Sequence, residues 1–93
     1  MERELLVRVL ATDVANWVLG EYENTIQDGQ MAKEDMPDDN ELVEIIYEEV
    51  LASKYVTIKG KNILIEKDIR FLTTARLKEI IYQQLQMAKI YGE

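Results

Sequence analysis

The chain has 93 residues, 47% hydrophobic and 31% charged, with no cysteine, no histidine and a net charge of −7. One domain with a modest core is expected at this length, and the apolar content is too high for a disordered tail. Without cysteine there are no disulfide staples and no Cys-ligated zinc or iron–sulfur sites, which points to a reducing cytoplasm.

From about residue 3 to 27 the spacing predicts a helix. Leu6, Leu10, Val14, Trp17 and Glu21 follow one line at helical spacing, and Val7, Ala11, Val14 and Val18 follow another beside it. So wide an apolar stripe places this helix, Trp17 included, at the centre of the core. Asp13, Asn16 and Gly20 interrupt the stripe, as expected of a crossing point with another element. Asp28 and Gly29 supply the stop, glycine being able to take the positive φ that closes a helix end.

Residues 28–37 have no clear period and read as a loop. Asp38, with Glu41 three residues on, resembles a capping box opening a second helix to about Ser53. Leu42, Ile45, Ile46, Glu49 and Val50 fall near one face of it, and Asp38, Glu41, Glu44 and Glu48 near the other. From 55 to 66 the period changes to two. With Gly60-Lys61 as a type II′ turn, Ile58 opposes Ile63 and Val56 opposes Ile65 on one apolar face. Residues 68–72 fit either an extra turn or the start of a last helix, which runs from about 73 to 91. There Leu77, Ile80, Ile81, Gln84, Leu85, Ala88 and Tyr91 form the inner stripe, and Gly92 ends the helix. The expected fold is a single small α+β domain over residues 1–93, order α-α-β-β-α, with three helices packed on one antiparallel two-stranded hairpin.

Familiar catalytic arrangements are missing. There is no histidine for proton transfer near neutral pH, and Ser53 is the only serine, so no Ser-His or Cys-His nucleophile can be assembled. No phosphate loop, GxGxxG turn or HExxH helix occurs. Carboxylate pairs can hydrolyse glycosides, but they need a cleft that raises one pKa. The acidic stretch 34–41 lacks the order of an EF-hand loop. No enzymatic activity, cofactor or metal site is expected. Acids near the start, and Asp13 within the first apolar run, do not fit a signal peptide. No apolar run is long enough to span a bilayer.

Charge is distributed unevenly. Residues 1–53 carry 14 acids against 3 bases, and residues 54–93 carry 4 acids against 8 bases. Between Glu21 and Glu49, 11 acids face only Lys33. Carboxylates three and four residues apart on a helix stand ~5–6 Å from one another, a dense row of like charge that costs stability. One reading makes Glu34, Asp35, Asp38, Asp39, Glu41, Glu44 and Glu48 a surface that engages a basic protein partner, such as a nuclease or another nucleic-acid-binding protein. The other makes the same row a solvated, solubilising face whose first acids favour the helix dipole. The basic residues Lys54, Lys59, Lys61, Lys67 and Arg70 gather around the hairpin. They suggest phosphate contacts of a nucleic-acid-binding regulator, in the manner of a winged-helix wing, although the acidic helix before the hairpin would repel phosphate. Lysine on an edge strand is also ordinary protection against aggregation.

Tyr47 and Tyr82 lie off the apolar stripes and are candidate interface residues. A third reading is an assembly subunit that forms a homodimer through the last helix. In size and charge alone the chain resembles the small acidic inhibitors of phages and mobile elements that mimic nucleic acid against restriction or CRISPR nucleases. That resemblance implies a non-enzymatic, protein-binding inhibitor acting in the cytoplasm.

Overall fold

The computed structural model of the chain describes residues 3–91. In order they form α1 (Arg3–Gln27), a 3₁₀ turn (Lys33–Asp35), α2 (Asp39–Ala52), β1 (Tyr55–Ile58), β2 (Lys61–Leu64), α3 (Glu66–Phe71) and α4 (Thr74–Tyr91). The α+β fold and the order of three long helices around one hairpin are as the sequence predicts. The ambiguous stretch 68–72 resolves into the end of α3, a separate six-residue helix, and the extended link after it. Gly92, the expected stop of the last helix, lies outside the described residues.

Helix ends follow their local chemistry. At the end of α1, Gly29 has φ 77°. Its N–H donates to the Ile26 carbonyl, while the Gln30 N–H reaches back to Thr25, both at 3.1 Å. These two bonds are the Schellman arrangement, and only the positive φ of residue 29 brings both donors round. Asp38 is extended and its carboxylate accepts the Glu41 N–H at 2.9 Å, which caps α2. Thr73 does the same for α4, accepting the Arg76 N–H at 3.1 Å.

The hairpin differs from expectation in its turn. Lys59 and Gly60 are its central residues, with φ 52° and 79°. Two positive values in succession mark a type I′ turn, which matches the twist of the strands without splaying them. Pairing is therefore Tyr55 with Leu64, Val56 with Ile63, Thr57 with Asn62 and Ile58 with Lys61. Relative to the expected register the partners move by two residues. An even shift preserves the faces, so Val56 and Ile63 still point inward. Ile65, just past β2, donates its N–H to the Lys54 carbonyl at 3.0 Å and is the fully buried N-cap position of α3.

α1 and α4 run parallel. Glu4 pairs with Arg76, Arg8 bonds Gln83 and Thr12 bonds Gln84, in step along both helices. α2 runs antiparallel to α4, where Glu44 meets Lys78 and Asp39 meets Lys89. The core between them holds Leu6, Val7, Leu10, Ala11, Ala15 and Val18 from α1. α2 adds Leu42, Val43, Ile46 and Val50, and α4 adds Leu77, Ile80, Ile81, Leu85 and Ala88. Val56, Ile65 and Ile69 close the end beside the hairpin.

Two aromatic residues expected inside are outside: Trp17 is 57% exposed and Tyr91 81%. Trp17 lies at the flank of the α1 stripe, on a side left uncovered although Val18 beside it is buried. Tyr91 is at the last turn of α4, past the end of the core. Val14, on both expected lines of α1, is only half-buried. The interruption of α1 at Gly20 marks no crossing either, since a Cβ built there meets nothing within 4 Å. Gly20→Ala is therefore expected to stabilise the protein by about 0.5–1 kcal/mol, by removing backbone freedom from the unfolded chain without a clash. A thermal melt of the variant beside the parent checks this.

Candidate protein-binding surface

α2 buries Leu42, Val43, Ile46 and Val50, and the helical repeat then turns Glu41, Glu44 and Glu48 outward together. All three are exposed, as are Glu34 and Asp35 in the 3₁₀ turn that leads into the same helix. The structure thus gathers five of the seven acids singled out in the sequence along one helix face and its approach.

The other two acids serve the fold. Asp38 is exposed but occupied by its cap. Asp39 turns toward α4, where its carboxylate accepts from Lys89 Nζ and, at 2.9 Å, from Gln86 Nε2. Those two donors hold the Asp39 carboxyl below its ordinary range. Glu44 has a mixed position: it faces outward, yet Lys78 Nζ approaches it at 2.6 Å. Glu44 in turn raises the Lys78 pKa. Lys78 also stands 5.0 Å from the Tyr47 ring centre, a cation–π contact that fixes the ammonium at the border of the acidic face. Tyr47 is half-buried beneath it, and Tyr82 is 48% exposed on α4. Glu34, Asp35, Glu41 and Glu48 have no side-chain partner among the described residues.

Among the described residues, the ion pairs Glu4–Arg76, Glu44–Lys78 and Asp39–Lys89 between the acidic and basic halves all involve α4. At the far end of α4, Arg76 binds Glu4 of α1 at 2.6 Å and Glu79 of its own helix. The guanidinium holds the Glu4 carboxyl below its ordinary range.

The five basic residues around the hairpin are all exposed. Lys59 and Lys61 stand at the turn, Lys54 at the entry to β1, and Lys67 and Arg70 on α3. Arg70 is tied to Glu66 at 2.8 Å, one turn back on its own helix. The four lysines have no side-chain partner among the described residues. Among the same residues no three carboxylates converge as a metal site would require, and no helix is long and apolar enough to cross a membrane.

Depressed carboxyl pKa values fix the sign of the acid response. Their stabilising contribution is complete above the unfolded values, near 4.5 for Glu and 3.8 for Asp, and is lost as pH falls through the folded ones. The thermal midpoint is accordingly expected to drop below about pH 4. In Glu4→Gln/Asp39→Asn the drop is shallower, with a lower plateau at neutral pH. Calorimetric scans across that range measure both.

A feature the sequence reading passed over is an apolar groove on the opposite flank of α4, along its seam with α1. Leu5, Val9 and Met87 line its larger part, of about 440 Å³, with Thr12 and Gln84 at its floor. Its signal in the sequence is a second set of apolar residues one turn apart, Leu5 with Val9 and Met87 with Tyr91, lying off the main stripes.

Comparison of the chain with protein-family models, with curated proteins and with solved structures returned no match.

Proposed function

We propose that this protein is a non-enzymatic binding module, a small acidic inhibitor or regulator that occupies the nucleic-acid-binding surface of a protein partner. The observation that supports the reading best is the face of Glu41, Glu44 and Glu48, bordered by Glu34 and Asp35, in which, among the described residues, Glu44 alone is paired with a base, Lys78. Fixed carboxylates about one helical turn apart imitate a row of phosphates in charge, though not in sugar or base. A helix fixes their backbone, so docking has to order the side chains but not the segment that carries them. Facing lysines and arginines would accelerate the encounter and favour this partner over others. The type of target that fits is a restriction or CRISPR nuclease, or another protein with a basic nucleic-acid groove, met in a reducing cytoplasm.

The test is competition. The wild-type protein, titrated into a purified nuclease carrying a fluorescent DNA duplex, is expected to displace the duplex, and to do so more weakly as salt rises. Displacement unchanged by charge reversal at Glu41 and Glu48 would remove the acidic face from the mechanism.

One observation supports a second reading, direct binding of nucleic acid by the hairpin: the side chains of Lys54, Lys59, Lys61 and Lys67 have no partner among the described residues. Salt-sensitive binding of the duplex by this protein alone would favour it.

A further inference from the structure

The hairpin leaves the backbone of one strand open on its outer side. Its two-residue turn at Lys59-Gly60 makes Ile58–Lys61 the first hydrogen-bonded pair, and such pairs alternate along an antiparallel ladder. Val56–Ile63 is the next, and Lys54–Ile65 the third, where the Ile65 N–H donates to the Lys54 carbonyl at 3.0 Å. Asn62 and Leu64 fall between these pairs, so their N–H and C=O groups point away from β1. Those groups have no protein partner among the described residues. β1 packs against α1 and buries Val56, whereas β2 has no buried residue, so β2 is the outer edge.

The side chains along that edge are prepared for a neighbour on both faces. Leu64 is 54% exposed on the outward face, directly across from Tyr55 at 56%. Ile63, on the inward face, is only half-buried. A strand laid along β2 would place its own alternating side chains beside Leu64 on one face and Ile63 on the other.

Charge selects the neighbour. Lys61 begins β2 and Lys67 follows it in the first turn of α3, and neither side chain has a partner among the described residues. Glu66, the acid between them, is already taken up by Arg70. The β2 edge of a second copy would bring lysine against lysine, which is how lysine on an edge strand deters edge-to-edge pairing. An acidic strand meets attraction instead. The chain's own acid-rich stretch cannot serve, because Lys33–Asp35 form a 3₁₀ turn and Asp39–Ala52 a helix rather than extended chain.

We propose that β2 accepts an extended acidic peptide segment of a protein partner as a third, antiparallel strand. Asn62 and Leu64 exchange backbone hydrogen bonds with it, and Lys61 and Lys67 meet carboxylates toward its two ends. This surface is separate from the acidic face of α2, and the proposal stands or falls without it.

The probe is the peptide acetyl-Asp-Asp-Val-Ile-Thr-Glu-amide, which in antiparallel register sets valine opposite Leu64, isoleucine opposite Ile63 and threonine opposite Asn62. Amide hydrogen exchange of the full chain, followed residue by residue by NMR, reads its docking. In the free protein the Asn62 and Leu64 amides should exchange faster than that of Ile63, which is bonded to Val56. As the peptide approaches saturation, both should slow at least about fivefold. N-methylation of the peptide's valine and threonine removes the two donors that face Leu64 and Asn62, and should weaken binding about tenfold or more. Lys61→Glu/Lys67→Glu should weaken it similarly, with circular dichroism unchanged because both lysines are exposed. Unchanged exchange at Asn62 and Leu64 in millimolar peptide overturns the proposal. So does protection that is indifferent both to N-methylation and to the charge reversals. Protection of the same amides that rises with protein concentration, without peptide, would give the edge to a second copy and overturn the acidic segment. Binding of a DNA duplex lost in the lysine double variant, with the peptide inert, would give the lysines to nucleic acid and likewise overturn it.

Discussion

Ile46→Ala is expected to lower the stability of the protein by about 3 kcal/mol, and its thermal midpoint by roughly 12–20 °C. Ile46 has no exposed surface and lies in the middle of the buried stripe of α2. Removing three carbons from such a site forfeits their transfer free energy and leaves a cavity that neighbours fill only in part. Domains of this size are stable by only about 5–10 kcal/mol, so the loss is a large fraction of the whole. The neighbouring Ile45 is the control. It is half-buried, its environment can relax into solvent, and Ile45→Ala should cost about 1 kcal/mol. Urea unfolding of both variants measures the difference. The midpoint of Ile46→Ala should move far while the slope stays that of the parent. Equal effects at positions 45 and 46 would mean that α2 is rotated about its axis, and that Glu41, Glu44 and Glu48 do not share the outward face.

Much of this arrangement is written in local chemistry. Asp38 with Glu41, and Asp28 with Gly29, bound their helices because a carboxylate acceptor and a positive φ act within a few residues, where sequence alone determines geometry. The outward face of α2 was legible for the same reason, since one helical period fixes which acids stand together. The hairpin turn was less so. Lys59-Gly60 and Gly60-Lys61 differ by one step, both keep the apolar faces, and the choice rests on whether a lysine accepts positive φ. Hydrophobic pattern does not decide that, whereas the twist of the paired strands does. Trp17 failed for a tertiary reason. Val18 beside it is 3% exposed, so the covering helices reach this level of α1, and a stripe does not reveal how far round the helix that cover extends. The pairs Asp39–Lys89 and Glu44–Lys78 join residues 50 and 34 positions apart. No spacing rule reaches that far, so which acids are neutralised within the chain emerges only from the packing of α4 on α2.

That packing determines which charge reversal tests the acidic face cleanly. Glu44→Lys would break the bond to Lys78 and set two ammonium groups together beside Tyr47, so lost binding could follow from disturbed packing. Glu41 and Glu48 have no such ties. In Glu41→Lys/Glu48→Lys the net charge moves from −7 to −3, each reversal adding two units. Two effects on folding oppose one another. Repulsions of Glu44 with Glu41 and Glu48 become attractions, each worth ~0.2–0.5 kcal/mol. Lysine in the first turn of α2 meets the positive end of the helix dipole, at a cost of about 0.3–1 kcal/mol. The thermal midpoint should therefore stay within a few degrees of the parent. Binding has no such compensation. Two lysines facing a basic groove place like charges together, which costs several kcal/mol, so if the proposed function holds, affinity for a nuclease with such a groove should fall at least about 100-fold. Most of the early loss should be in the association rate and should shrink as added salt screens both charge patterns. A variant that melts like the parent, yet no longer displaces DNA, would assign the carboxylates to recognition. If displacement were unaltered, Glu41 and Glu48 would be left as a solvated face that keeps a small acidic protein in solution.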